Sequence, residues 1–458
     1  MGIAKALGVA SLMVVCSYAL SAVPTEDAEK LRRELTPMGA ERGSNAEGTV
    51  PEWDPLFGLS ASGPVYMSNP LPEDRPLFII ANYNYRDYVD LLSPGVIALF
   101  DANPDYQLLV YRTLRTANPP RWLVENTLYN AANTELSSDG LTLINFKAGV
   151  PFPIPQSGQQ VIWNHLMRWV GKQNELVSSA YHVDASGNWI ESSRQQQKFI
   201  SPLYRASGTV FNASGTSASS DMPDVYALRM DQLLPQKRKG EILLMRYQTD
   251  YSATAERKIW QYFPDQSQVR RVSNASFGNP LPDVQNSSTY DDMQLFSGSP
   301  EKYDWTLLGK QDCIVPYNNW AAVDASGPEQ FLRSQFYNPE LVRWEFHRCW
   351  LIEGRLRKGE EHVYPRRRFW IDEDTWNILL SENYNAKGQL WRHGQAIFAH
   401  AYQTQAFWSP ITVMYDLQGK TYSVNGQPLP DSWSQLTELP SEDYFTPRAL
   451  LQKIAPIR

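Results

Sequence analysis

From Glu241 onward, apolar and polar residues alternate with the period of two that marks β-strands. The alternation predicts strands over Glu241–Thr249, Arg257–Phe263, Gln268–Ser273, Asp304–Val315, Val342–Glu353, Glu361–Asp372, Asn377–Tyr384, Gln389–Tyr402 and Ile411–Asp416. Turn chemistry separates several of them, at Pro264-Asp265-Gln266-Ser267, Asp372-Glu373-Asp374 and Asn385-Ala386-Lys387-Gly388. Short turns imply an antiparallel meander, because parallel strands need long crossovers. In Val342–Glu353 one face carries Trp344, Phe346, Arg348, Trp350 and Ile352, and the other carries Arg343, Glu345, His347, Cys349 and Leu351. Large apolar groups thus fall on both faces, unlike a flat sheet with one wet side. The expected fold class is mainly antiparallel β with helices (α+β), a strongly curved sheet whose concavity holds a helix or a ligand.

The first third reads as a mixture of helices and long loops. Thr25–Leu35 is a helix start with acidic residues in its first turn. Arg86–Leu99 and Trp122–Thr134 have helical spacing, the former interrupted by Pro94. Gln159–Trp169 is the strongest helix, with Ile162, Leu166 and Trp169 in one stripe. Residues 207–220 are rich in Gly, Ser, Thr and Ala and read as a mobile loop. The expected organisation is a signal peptide over 1–22, a mixed region over 23–158 that packs on the sheet, and the main β region over 159–458.

The amino terminus changes the picture. Lys5 precedes an unbroken apolar and small-residue run, Ala6–Ala22, and charged residues follow at Glu26 and Asp27. That layout predicts an export signal cleaved after Ala22, and a soluble protein in a Gram-negative periplasm. Cys16 follows Val14 and Val15, which argues against lipidation. After cleavage only Cys313 and Cys349 remain. An oxidising compartment favours a disulfide between them, with two separate buried thiols as the alternative. The net charge of −7, with dispersed basic residues, argues against nucleic acid as a partner.

Candidate chemistry is sparse. The sequence has no G-x-S-x-G, Walker A, G-x-G-x-x-G or H-E-x-x-H motif, so no catalytic residue, cofactor or metal is assigned. His393 and His400 fall on opposite faces of one predicted strand. His362 reads as the exposed start of a strand, and His165 as a helix-to-sheet hydrogen bond. Asp372-Glu373-Asp374 reads as a solvated turn, too short of oxygen ligands for calcium. Arg366, Arg367 and Arg368 divide between two faces; the expectation is a structural ion pair, with Glu345 or an acidic ligand head group as the partner of one of them. The candidate apolar lining consists of Trp260, Tyr262, Trp344, Phe346, Trp350 and Trp370 on the sheet, with Trp163 and Trp169 on the plugging helix; filling of the core is the alternative role.

Five long segments carry a resemblance: Leu35–Trp53 (L-T-P-M-G-A-E-R-G-S-N-A-E-G-T-V-P-E-W), Gly149–Trp169, Arg257–Val272, Tyr290–Trp305 and Tyr364–Tyr384. Together they resemble the bacterial domain-of-unknown-function family 1329, whose members are in places described as outer-membrane lipoprotein-sorting-like. The resemblance implies a fold similar to the LolA and LolB lipoprotein carriers, a half-open barrel with helices over its mouth. It also implies a periplasmic partner, a resistance-nodulation-division type exporter, because family genes often neighbour such exporters. The family offers no catalytic residue to transfer. Aromatic patterning and resemblance together lead to a binding or carrier protein for an apolar or lipid-like molecule. A non-carrier adaptor of an envelope complex and an unrecognised hydrolase are the alternatives.

Overall fold

The computed structural model describes residues 22–55, 69–205, 208–211, 224–252, 258–272, 278–402, 404–429, 432 and 441–452. The export signal falls outside the described residues, as does most of the 207–220 loop. None of the described helices is long and apolar enough to cross a membrane.

The strands are, in order, β1 (Phe78–Ala81), β2 (Gln107–Val110), β3 (Glu135–Leu136), β4 (Leu143–Ile144), β5 (Gln173–Val183), β6 (Trp189–Ile200), β7 (Tyr226–Leu234), β8 (Ile242–Tyr247) and β9 (Lys258–Phe263). There follow β10 (Gln268–Arg271), β11 (Tyr303–Pro316), β12 (Arg343–Leu356), β13 (Arg366–Asp372), β14 (Ile378–Tyr384), β15 (Leu390–Ala401), β16 (Ala406–Asp416) and β17 (Thr421–Pro428). All but β3 and β4 join one 15-stranded sheet. Its main path runs β11-β12-β13-β14-β15-β16-β17-β5-β6-β7-β8-β9-β10, antiparallel throughout, and does not close into a barrel. β2 adds a short parallel pairing at Arg343 and Trp344, beside β13 on the same edge of β12.

The strands expected from alternation are all present, but β13 starts at Arg366 rather than Glu361 and β16 at Ala406 rather than Ile411. Four further long ones, β5, β6, β7 and β17, complete the sheet. The helices expected over Arg86–Leu99 and Gln159–Trp169 are shorter than their patterns suggest, whereas the one expected over Trp122–Thr134 keeps its length. Pro94 starts α1 (Pro94–Ala102) rather than interrupting one, because Ser93 caps Val96 N–H and a proline at the first position sacrifices no hydrogen bond. α2 spans Arg121–Asn133, and α3 spans Gly158–Leu166 with Ser157 as its cap.

The sheet curls. β11 and β15 lie four places apart in the order, about 19 Å across a flat sheet, yet they touch. Asn319, just beyond β11, donates its backbone N–H to Phe398 O of β15 at 2.7 Å. Both faces of β13–β16 are covered. α1 lies on the convex face, where Gly95 N–H donates to Glu382 and a Cβ at Gly95 would strike the His393 ring. On the concave face lie α3 and the segment Tyr290–Ser297, whose Leu295 packs beside Gly394. Every residue of α3 is buried, so the single apolar stripe expected of it is replaced by burial on all sides. Its polar residues are matched internally: Asn164 exchanges two bonds with the Phe152 backbone.

Cys313 and Cys349, on the adjacent strands β11 and β12, form a disulfide.

Candidate functional site

The concave face is readable strand by strand. Asn174 of β5, Gln197 and Phe199 of β6, and Tyr226 and Leu228 of β7 point to the same side through the registers Asn174↔Phe199 and Phe199↔Leu228. With Trp408, Ser409, Pro410 and Thr412 of β16 and Asn425 and Gly426 of β17, they line one cavity of about 660 Å³, counting the part open to solvent. Five consecutive strands share this wall, which only a strongly bent sheet permits. Gly426 makes one of the bends: it has φ +85°, and a Cβ there would lie 2.0 Å from Pro410 O.

Two further hollows continue along the same face. One, of about 270 Å³ counting the part open to solvent, lies between Met245, Tyr247, Tyr251 and Ile259, with Arg246, Gln248 and Lys258 also lining it. The next, of about 550 Å³ again counting the part open to solvent, is bounded by Leu243, Met245, Ile259, Val272 and Tyr290. Tyr226 and Tyr247 stack at 4.1 Å and separate the first from the second. A single segment roofs all three: Met293 and Gln294 over the first, Ser297 over the second and Tyr290 over the third. The spaces are narrow in this conformation, and the roof sits low on them.

The roof is tied down by charge. Arg367, fully buried in β13, donates to Asp291 at 2.9 Å and to Asp292 at 2.5 Å. Burial would raise the Asp291 carboxyl, but Arg367 and His362 hold it well below the usual carboxylate range. The His362 side chain is buried 3.1 Å from Asp291, which corrects the exposed strand start expected for it. Arg368 pairs with Glu353 at 2.6 Å, and Glu345 is met by Arg343 rather than by the arginine triplet.

The acidic turn is also not solvated. Asp372, Glu373 and Asp374 are all buried. Arg115 forks onto Asp374 at 2.7 and 2.9 Å, while Arg348 and Lys310 hold Glu373 at 2.6 and 2.8 Å. Burial and the neighbouring Asp374 push the Asp372 carboxyl up to about 6. His347, Asp372 and Asp374 bring one ligand atom each within 4.8 Å of one another. Because Arg115 already occupies both Asp374 oxygens, the group is built as an ion-pair hub rather than a metal cage. Its cations also bind the amino-terminal segment: Arg348 donates to Glu41 O and Gly43 O.

His165 makes the helix-to-sheet bond expected of it. Nδ1 lies 3.0 Å from Trp376 O and Nε2 lies 2.9 Å from Phe296 O. Trp376 in turn donates its indole N–H to Met38 O at 3.0 Å. Four of the five segments that carry the resemblance therefore meet at these two side chains.

The eight aromatic candidates do not converge. Trp260 and Tyr262 pair with Leu244 and Ile242, on the face opposite the cavities, and pack beneath Phe445 and Leu450. Trp370 pairs with Leu380 on the convex side. Trp344 and Phe346 lie at the start of β12, where Phe346 meets Phe78 at 6.2 Å. Trp350 stacks on Trp376 with Lys310 over its ring. Trp163 stands behind Tyr251, and Trp169 packs on Tyr204 beside the wall residue Val170. None of the eight is on the wall of the three hollows. The wall residues missed from sequence sit in the polar strands β5–β7, where Y-A-L in β7 was the one apolar alternation available.

Fold and site define a half-open, mostly antiparallel β protein with a roofed concave face. The chain belongs to the protein family of unknown function DUF1329, which matches residues 79–451. It is 31% identical over 455 residues, 97% of each chain, to an uncharacterized protein of Pseudomonas aeruginosa. Similar solved structures include an outer membrane lipoprotein-sorting protein domain from Vibrio parahaemolyticus (14% identity, 64% of this chain and 97% of that one, TM-score 0.41). A DUF1329 family protein from Desulfovibrio piger (17%, 61% and 92%, TM-score 0.39) and a LolA superfamily protein from Nitrosomonas europaea (13%, 64% and 98%, TM-score 0.35) are also similar.

Proposed function

We propose that this protein is a periplasmic carrier for an apolar or lipid-like molecule, held between the concave face of β5–β9 and the roof Tyr290–Ser297. The observation that carries the reading is the run of three hollows along one sheet face under one segment. Their walls combine apolar side chains, at Phe199, Leu228, Met245 and Ile259, with polar ones such as Asn174, Gln197 and Asn425, and a mixture of the two fixes both affinity and orientation in small-molecule sites. The disulfide and the expected export signal support an oxidising compartment outside the cytoplasm. Loading requires the roof to lift, since the spaces are narrow when it is down. An exporter of the resistance-nodulation-division type is the proposed partner for cargo transfer.

The test is native mass spectrometry of gently purified protein with lipid analysis of its extract, alongside titration with a fluorescent fatty-acyl probe. Co-purified lipid and saturable probe binding are expected. Consistently empty protein that ignores the probe would reject the carrier reading in favour of an adaptor. The wholly buried α3, which already fills part of the concavity, favours that second reading.

A further inference from the structure

Arg168 differs from the other deeply buried arginines. Arg115, Arg348 and Arg367 each face a carboxylate. Arg168 is 4% exposed, and its bonds go to neutral oxygens: Nε to Asn377 Oδ1 at 2.9 Å, Nη1 to His165 O at 2.6 Å, and Nη2 to the Gln294 side-chain oxygen. No Asp or Glu among the described residues lies in ion-pair range of it. A buried cation without an anion is costly, and folds normally avoid it by pairing. Burial accordingly depresses Arg168 from its ordinary value, with only tyrosines nearby to oppose the effect.

Gln294 connects this charge to the first cavity, because the same side chain is part of the cavity wall. It is held at φ +52°, and Leu295 follows at +67°, so two successive non-glycine residues are left-handed where the roof meets Arg168. No lysine or arginine lies on the cavity wall itself. Arg246 and Lys258 border the next hollow, but both are paired with Asp224. The positive charge without an anion is therefore the one at the base of the first cavity, reached through one neutral side chain, with Met245 and Ile259 in the hollow beyond.

We infer that the cavity takes a single-tailed amphiphile with a carboxylate head, the head replacing the Gln294 amide oxygen at Arg168 and the tail lying along the roofed hollows. The inference rests on the carrier reading and names its ligand class. One guanidinium matches a monoanion, and the planar fork of arginine matches a carboxylate.

The experiment compares cis-parinaric acid with its methyl ester by fluorescence titration of the full protein, at roughly pH 8, where the acid is ionised. The acid is expected to bind at least about tenfold more tightly than the ester. Gln294→Glu places a carboxylate on Arg168 within the same side-chain volume, and the acid-over-ester preference should then collapse. Equal binding of acid and ester by the native protein, or an unchanged preference in Gln294→Glu, overturns this inference and leaves the carrier reading standing. Tighter binding of dodecyl phosphate than of the acid also overturns it, by moving the head group to phosphate. If neither parinarate binds, both readings fail.

Discussion

Arg367 and Asp291, 76 positions apart in sequence, meet 2.9 Å apart with the arginine fully buried, and their bond fastens the roof to the sheet. Removing the cation strands two buried carboxylates, Asp291 and Asp292. Arg367→Met is expected to lose about 3–5 kcal/mol of stability by chemical denaturation. Amide exchange should rise selectively over Tyr290–Ser297. Unchanged exchange there would show that the roof is held by packing alone.

The two faces of β7–β9 should respond differently to substitution. Leu228→Trp puts a large ring into the first cavity and should weaken a fluorescent acyl probe by about tenfold or more with little change in Tm. Trp260→Leu removes packing beneath Phe445 on the other face. It should cost about 1–3 kcal/mol and leave probe affinity alone. Probe titration and thermal melts on both variants check the assignment of faces, and the reverse pattern would invert it.

Acid should destabilise the protein through its buried histidines. His393 lies 3.1 Å from Ser381 O through Nδ1 and 3.1 Å from the Gln395 amide nitrogen through Nε2, and burial lowers it to about 4. His400 is lowered by burial to about 3. Between those values and the ordinary 6.5, the unfolded chain binds protons that the folded one refuses. Stability is therefore lost as pH falls below about 6.5, by about 3 kcal/mol for His393 once pH reaches its folded value. Asp372, raised to about 6, acts oppositely and favours the fold as pH falls from 6 towards 4. Denaturation at a series of pH values should show a shallower acid loss in His393→Gln than in the native chain.

The disulfide closes a loop of sequence separation 36. Replacing both cysteines by alanine should cost up to about 4 kcal/mol, mostly through the freed unfolded chain. Comparing the variant with reduced native protein checks whether the loss belongs to the bond or to the side chains.

The strands of the second half were legible because their alternation is apolar against polar. β6, W-I-E-S-S-R-Q-Q-Q-K-F-I, was not, because its cross-strand partners are polar. Gln196 meets Glu175, Gln197 meets Ser178 and Gln195 meets Gln232, so the ladder is held without a hydrophobic stripe. At Trp260 and Tyr262 the sequence showed that both share a face, but not which face is concave. That is decided by the Tyr290–Ser297 segment on one side and Phe445 on the other. The acidic turn was visible as a turn, whereas its burial depends on Arg115, Lys310 and Arg348, brought in from distant parts of the chain. His165 is expected to bond to the sheet although it lies off the stripe of Ile162, Leu166 and Trp169, and it does so because α3 is buried on all sides.

The pairing of β17 with β5 sets the order in which this molecule can be completed. Val183 lies opposite Tyr422, so the outer edge of β5 has no strand to receive it until nearly the whole chain has been synthesised. The β5–β10 half must wait, with one long edge open, until β17 at Thr421–Pro428 has been made, and such an edge invites pairing with other chains. A holding factor during synthesis or translocation, or a slow final closure step, is the natural corollary of joining the two halves at that one seam.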